Sequence, residues 1–130
     1  AEDINGKAVN YESLKGKLVY VDVWATWCKP CLQELPAMKA LQEEYKGKDI
    51  TFVSLSVDKD KEAWKAMVTE EKMQGVQLHI DLGAHRDFIE NYDLTGIPRF
   101  FLISKEGKII SISAPRPSEA KIKELINANL

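Results

Sequence analysis

Apolar and β-branched residues crowd into LVYVDVWA, Leu18 to Ala25, around a single charged position, a density that predicts a buried strand. Beyond it the spacing changes. Cys31, Leu32, Leu35, Met38, Leu41 and Tyr45 recur at helical intervals, so a helix is expected to start at Cys28 and end near Lys46-Gly47. Pro36 lies inside that span, lacks an amide hydrogen and crowds the preceding turn, which predicts a kink. A second apolar run, ITFVSLSV, predicts a strand ending at Asp58. Residues Lys61 to Met73 then place Trp64, Met67, Val68 and Glu71 on one side of an amphipathic helix.

The remaining pattern is shorter-ranged. VQLHI reads as a short strand, and residues around Asp87 to Tyr92 as a short helix. RFFLIS and KIISIS, separated by Lys105-Glu106-Gly107, predict an antiparallel hairpin. A last helix is expected from about Ser118, with that serine as N-cap and Ile122, Leu125 and Ile126 facing inward. Asn5-Gly6 and Leu14-Lys15-Gly16-Lys17 mark turns ahead of the first buried strand. Strands alternating with helices and closing on a hairpin predict an α/β sandwich with a mixed central sheet whose early strands run parallel.

Composition narrows function more than fold. The chain has 130 residues, 45% apolar and 29% charged, with no repeat, low-complexity tract or linker, and reads as one globular domain over residues 1–130. A net charge of -2 gives no electrostatic reason to expect nucleic acid or an anionic membrane as partner. No apolar run reaches the length of a membrane span. The first residues, AEDINGKAVNY, lack the basic start and apolar stretch of a leader, although an exported protein without its leader would look the same.

Candidate chemistry is concentrated in WATWCKPC, Trp24 to Cys31, which holds both cysteines. A disulfide that restricts the unfolded chain does so best across a long loop, and this pair closes almost none. Reactivity is therefore the better explanation. A thiol reacts as its thiolate, and Cys28 at the start of a helix would meet unpaired amides and a dipole that favour negative charge. Lys29 adds a nearby cation. Cys31, one turn further, could attack a mixed disulfide on Cys28 and is expected to be less accessible. The roles separate accordingly: Cys28 attacks and Cys31 resolves. Pro30 suits a first helical turn, and together with Lys29 it should help set the redox poise.

Four stretches carry a resemblance over nearly the whole length: NGKAVNYESLKGKLVYVDVWATWCKPC, Gln33-Glu34-Leu35-Pro36, the GIP of Gly96 to Pro98, and FFLISKEGKII. Together they resemble thioredoxin-fold thiol-disulfide oxidoreductases, specifically the TlpA/ResA-like branch. The resemblance implies a thioredoxin-like three-layer α/β/α sandwich with an N-terminal β extension. It also implies a helical insertion between Asp58 and Pro98, containing Trp64 and Met73. Pro98 should be cis and stand across from the cysteines. There Ile97 would offer backbone groups to an extended substrate segment, with Trp27, Pro30, Gly96 and Ile97 as an apolar docking surface.

Asp22, six residues before Cys28, matches the buried acid that exchanges a proton with the resolving cysteine. Desolvation between Val21 and Val23 should raise its pKa. Ser54 stands where a lysine usually partners that acid. Arg99 stands where a threonine is more usual, and reads as an exposed arginine capping a strand end. The resemblance implies an enzyme that exchanges disulfides with protein substrates as a reductant, supplied by an upstream electron-transfer protein. It implies a monomer in an extracytoplasmic, periplasmic compartment, with the cytoplasm as the alternative. No bound cofactor is expected beyond the redox-active Cys28–Cys31 disulfide.

Other chemistries fit less well. Zinc would need two ligands besides the cysteines, and His79 and His85 lie too far along the chain for a finger. Both read as ordinary surface or partly buried histidines. Haem attachment fails because Leu32 follows Cys31. A peroxidase of the related fold would want Pro at 21 and Thr or Ser at 25, where this chain has Val21 and Ala25. A binding module whose cysteines only report redox state stays open. Trp24 and Trp64 read as core, whereas Trp27 beside Cys28 reads as a partner contact.

Overall fold

The computed structural model describes residues 1–130. Its sheet comprises β1 (Glu2–Asp3), β2 (Leu18–Trp24), β3 (Ile50–Ser56), β4 (Val76–His79), β5 (Arg99–Ile103) and β6 (Ile109–Ser111). They lie side by side in the order β1-β4-β3-β2-β5-β6. Every position of β2 is buried, as a strand covered on both faces requires of its sequence. Strands β2, β3 and β4 run parallel, while β5, β6 and β1 are antiparallel to their neighbours, so the mixed sheet and the N-terminal β extension are both present. Both edges are short, at two residues in β1 and three in β6.

Helices α1 (Lys29–Gln33), α2 (Leu35–Glu44), α3 (Lys61–Glu70), α4 (Arg86–Asn91) and α5 (Lys121–Asn129) cover the sheet. On one face, Met38 and Leu41 of α2 and Ile122 and Ile126 of α5 bury against Tyr20, Phe52 and Phe100. On the other, Phe88 and Tyr92 at α4 pack on Val53, Leu78 and Phe101. A third cluster joins Trp64 of α3 to Trp24, Ala25, Cys28 and Cys31, so the insertion packs against the cysteine motif.

The chain departs from the sequence pattern in three places. The expected helix from Cys28 to Lys46 is two helices that meet at Glu34, with Pro36 in the first turn of the second. A continuous helix would have left the Leu32 carbonyl facing a ring without a donor, so the break is sharper than a kink. The helix expected to reach Met73 stops at Glu70. Lys72 takes a left-handed φ of 50°, and the Met73 amide reaches the Val68 carbonyl at 3.1 Å, closing the helix in a Schellman turn. The last helix begins at Lys121 rather than Ser118, because Ser118 spends its side chain on Glu34 instead of on a cap.

Gly75 returns the insertion to the sheet with φ of 83°, and a Cβ there would stand 2.8 Å from the Phe52 carbonyl oxygen. Gly47 has a similar φ of 81° but open space around it. We therefore expect Gly75→Ala to lower stability by about 1–3 kcal/mol, and Gly47→Ala by about 1 kcal/mol or less. Urea denaturation of the two variants separates the clash from the backbone strain they share.

Candidate active site

Strand β2 ends at Trp24, and within four residues the chain must leave a buried sheet and begin a helix. The turn is closed by the Cys28 amide donating to the Ala25 carbonyl at 3.1 Å. Cys28 then caps α1: its Sγ lies 3.3 Å from the Cys31 amide nitrogen, with Lys29 and Pro30 in the first turn. Pro30 costs nothing there, since that turn has no intrahelical partner for its amide. Cys28 and Cys31 are joined as a disulfide with Cα atoms 5.3 Å apart.

The expected difference in accessibility between the sulfurs is absent in this oxidised state. Cys28 and Cys31 are both buried, at 4% and 6% exposure, because Trp64, Leu32 and Ile97 pack around the bridge. What is exposed is the neighbourhood. Trp27 is 70% exposed, an unusual place for a tryptophan, and Lys29, Pro30 and Gly96 are also on the surface. The Ile97–Pro98 peptide bond is cis. Pro98, Cys31 and Asp22 line one small cavity of about 10 Å3, together with Glu34, Leu35 and Met38.

Asp22 projects from the centre of β2, directly opposite Ser54 of β3, so the expected replacement of a lysine partner by serine holds in the register. The carboxyl group is buried and its Oδ1 has no hydrogen-bond partner. Burial lifts its pKa to about 7, opposed by the Ser54 hydroxyl. A group with that pKa can take or give a proton near neutrality, and it shares a cavity with Cys31.

Several functional neighbours are not visible in local sequence pattern. Glu34 lines the same cavity and accepts from the Ser118 amide at 3.0 Å and the Ser118 hydroxyl at 2.8 Å, tying the α1–α2 junction to the segment before α5. Arg99 is not an exposed strand cap. It is half-buried and donates to the carbonyls of Tyr92, Asp93 and Ile112 and to the Thr95 hydroxyl, which holds the loop that leads into Pro98. His79 is buried, with Nε2 at 2.6 Å from the Asp58 carbonyl and its ring 5.4 Å from Trp64. His85 is exposed at the start of α4.

A helix-capping CxxC disulfide beside a cis proline, on this sheet, defines a thiol-disulfide oxidoreductase of thioredoxin-like fold. The Redoxin family profile matches residues 2–126, and the chain belongs to that family. Within it the chain is TlpA/ResA-like. The thiol-disulfide oxidoreductase ResA of Bacillus subtilis is 32% identical over 126 residues, covering 97% of this chain and 69% of that protein. A solution structure of a candidate thiol-disulfide oxidoreductase from Bacteroides vulgatus superposes with a TM-score of 0.87 at 55% identity, covering 98% of this chain and 82% of that one. The thioredoxin domain of another thiol-disulfide oxidoreductase from the same organism superposes with a TM-score of 0.85 at 28% identity, over 98% and 89% of the two chains.

The raised pKa of Asp22 has a defined effect on stability. The folded protein holds that proton more tightly than the unfolded chain, so stability falls as pH rises from about 4 to about 7, and the full cost of the buried charge is present above that. Asp22→Asn should therefore be more stable than the parent at about pH 8, by up to a few kcal/mol, and lose that advantage below about pH 4. Denaturant midpoints across pH check this; a constant difference would mean that Asp22 titrates as an ordinary carboxylate.

Proposed function

We propose that this chain reduces disulfides in protein substrates, with Cys28 as the attacking sulfur and Cys31 as the resolving one. The observation that carries the division of labour is the placement of Cys28 at the cap of α1, where its Sγ already meets the Cys31 amide. In the dithiol form a negative charge on that sulfur would be favoured by the same amide and by the helix dipole. The thiolate attacks one sulfur of the substrate bridge, the substrate disulfide breaks, and its second sulfur leaves as a thiolate that takes a proton from water. Cys31 passes its proton to Asp22 and attacks Cys28 Sγ. The second substrate thiolate is released, and Cys28–Cys31 is left oxidised by the two electrons the substrate has gained.

Substrate docking is assigned to Trp27, Pro30, Gly96 and Ile97, which surround the bridge with exposed or half-buried apolar surface. Beside Pro98, the Ile97 backbone is the proposed partner for an extended substrate segment, as an added strand. Lys29 and Pro30 are the proposed tuners of the redox poise, being the first-turn neighbours of the capping sulfur. An upstream protein would return the bridge to the dithiol, and no bound cofactor is needed because the sulfurs carry both electrons. No helix is long and apolar enough to cross a membrane. The reading extends to a monomer in an extracytoplasmic, periplasmic compartment, supported by the TlpA/ResA-like resemblance.

Insulin reduction tests the mechanism, with both Cys28→Ser and Cys31→Ser expected to lose essentially all turnover. Cys31→Ser should accumulate a mixed disulfide with substrate through Cys28; accumulation in Cys28→Ser instead would reverse the roles. Full activity in both variants would leave a binding module whose cysteines only report redox state. Direction is read from the reduction potential. A value near that of thioredoxin, about -270 mV, fits a reductant, whereas one near about -120 mV would make the protein an oxidant.

A further inference from the structure

Asp58 follows the end of β3 and is 3% exposed, yet no cation pairs with it. Burying a carboxylate is unfavourable unless donors surround it, and here the donors have a definite origin. The Thr26 amide donates to Oδ1 at 3.0 Å and Oδ2 at 3.1 Å, and the Thr26 hydroxyl to Oδ1 at 2.7 Å. Buried Ser56 donates its hydroxyl to Oδ2 at 2.5 Å and accepts from the Asp58 amide at 3.1 Å. On the backbone side the Asp58 carbonyl lies 2.6 Å from His79 Nε2, and His79 is tilted against Trp64. Thr26 is the middle of the turn between β2 and α1, followed directly by Trp27 and Cys28. On either side of it the Val57 amide donates to the Trp24 carbonyl at 2.9 Å and the Cys28 amide to Ala25.

We infer that Asp58 is a positioning residue for the redox pair: its carboxylate, steadied by Ser56 while His79 of β4 meets its backbone carbonyl, grips Thr26 and thereby sets where Cys28 and Trp27 stand at the mouth of α1. Thr26 has no other side-chain hydrogen bond, and Trp27 is too exposed to anchor the segment by burial. Such a group acts through geometry rather than through its charge. A carboxylate near Cys28 would by charge alone oppose ionisation of the thiol, so removing it should make that sulfur more acidic. Loss of positioning does the opposite, since the sulfur then leaves the amides that favour its thiolate. The two accounts differ in sign.

The inference rests on the reading of Cys28 as the attacking sulfur. It is tested by iodoacetamide alkylation of Cys28 across pH in a Cys31→Ser background. Asp58→Ala should slow alkylation at neutral pH about tenfold and move its midpoint upward. Asp58→Asn keeps an oxygen for both Thr26 donors and can donate to the Ser56 oxygen, so it should stay within about twofold of the parent. An unchanged or more acidic midpoint in Asp58→Ala, or equal losses in the two variants, overturns the inference. Should Asp58→Ala fail to fold, Thr26→Val decides, with a slowing of about threefold expected and an unchanged rate overturning it. If instead the mixed-disulfide experiment assigns attack to Cys31, the parent reading fails. Alkylation unaffected at position 58 while trapping through Cys28 persists defeats only the role of Asp58.

Discussion

Everything in this protein depends on how little chain separates the buried end of β2 from the first turn of α1. Trp24 and Ala25 are core residues, Trp27 is almost bare, and Cys28 is core again. A backbone that reverses its environment twice within four residues has few ways to satisfy its polar groups. Here it does so by short internal bonds and by borrowing from Val57 and Asp58, just beyond β3. The sulfurs are a product of that turn: the geometry that ends the strand is the geometry that caps the helix. A CxxC pair on a flexible loop would have the same atoms without the fixed relation between thiol and amide.

Two buried carboxylates flank this turn, and the structure treats them in opposite ways. Asp58 is surrounded by donors from Thr26 and Ser56. Asp22, one strand away, keeps an oxygen without a partner. The first arrangement fixes a shape and the second leaves a group poised to change its charge. Both lie beside the cysteine motif, the part of the molecule to which the proposed chemistry assigns them. Elsewhere the protein is conventional, with its ion pairs on the surface and its sheet faces apolar.

Much of this was legible in the sequence. Strands β2 and β3, the helical insertion and the hairpin follow from runs of apolar residues, which report burial directly. The CxxC motif and the cis proline are local in sequence, so resemblance locates them well. The misses at Ser118 and at the Thr26–Asp58 contact share one cause: their partners lie far along the chain. Ser118 is bound by a glutamate 84 residues away, which no capping rule can foresee. Thr26 and Asp58 are 32 residues apart, and Asp58 in isolation is only the polar residue that ends a strand. Arg99 looked exposed because arginine usually is, but four oxygen acceptors from a neighbouring loop and strand collect around its guanidinium. Where side chains bond across the fold, pattern reading sees each half and not the pair.

The brevity of the outermost strands has its own meaning under the proposed action on other polypeptides. With only two residues at one margin and three at the other, neither rim can template a foreign β-segment for long. Under the proposed action on protein substrates, an extended segment therefore gains no lasting foothold along the perimeter. On that proposal a backbone that is to be held is held beside the sulfurs, so capture and chemistry coincide by default.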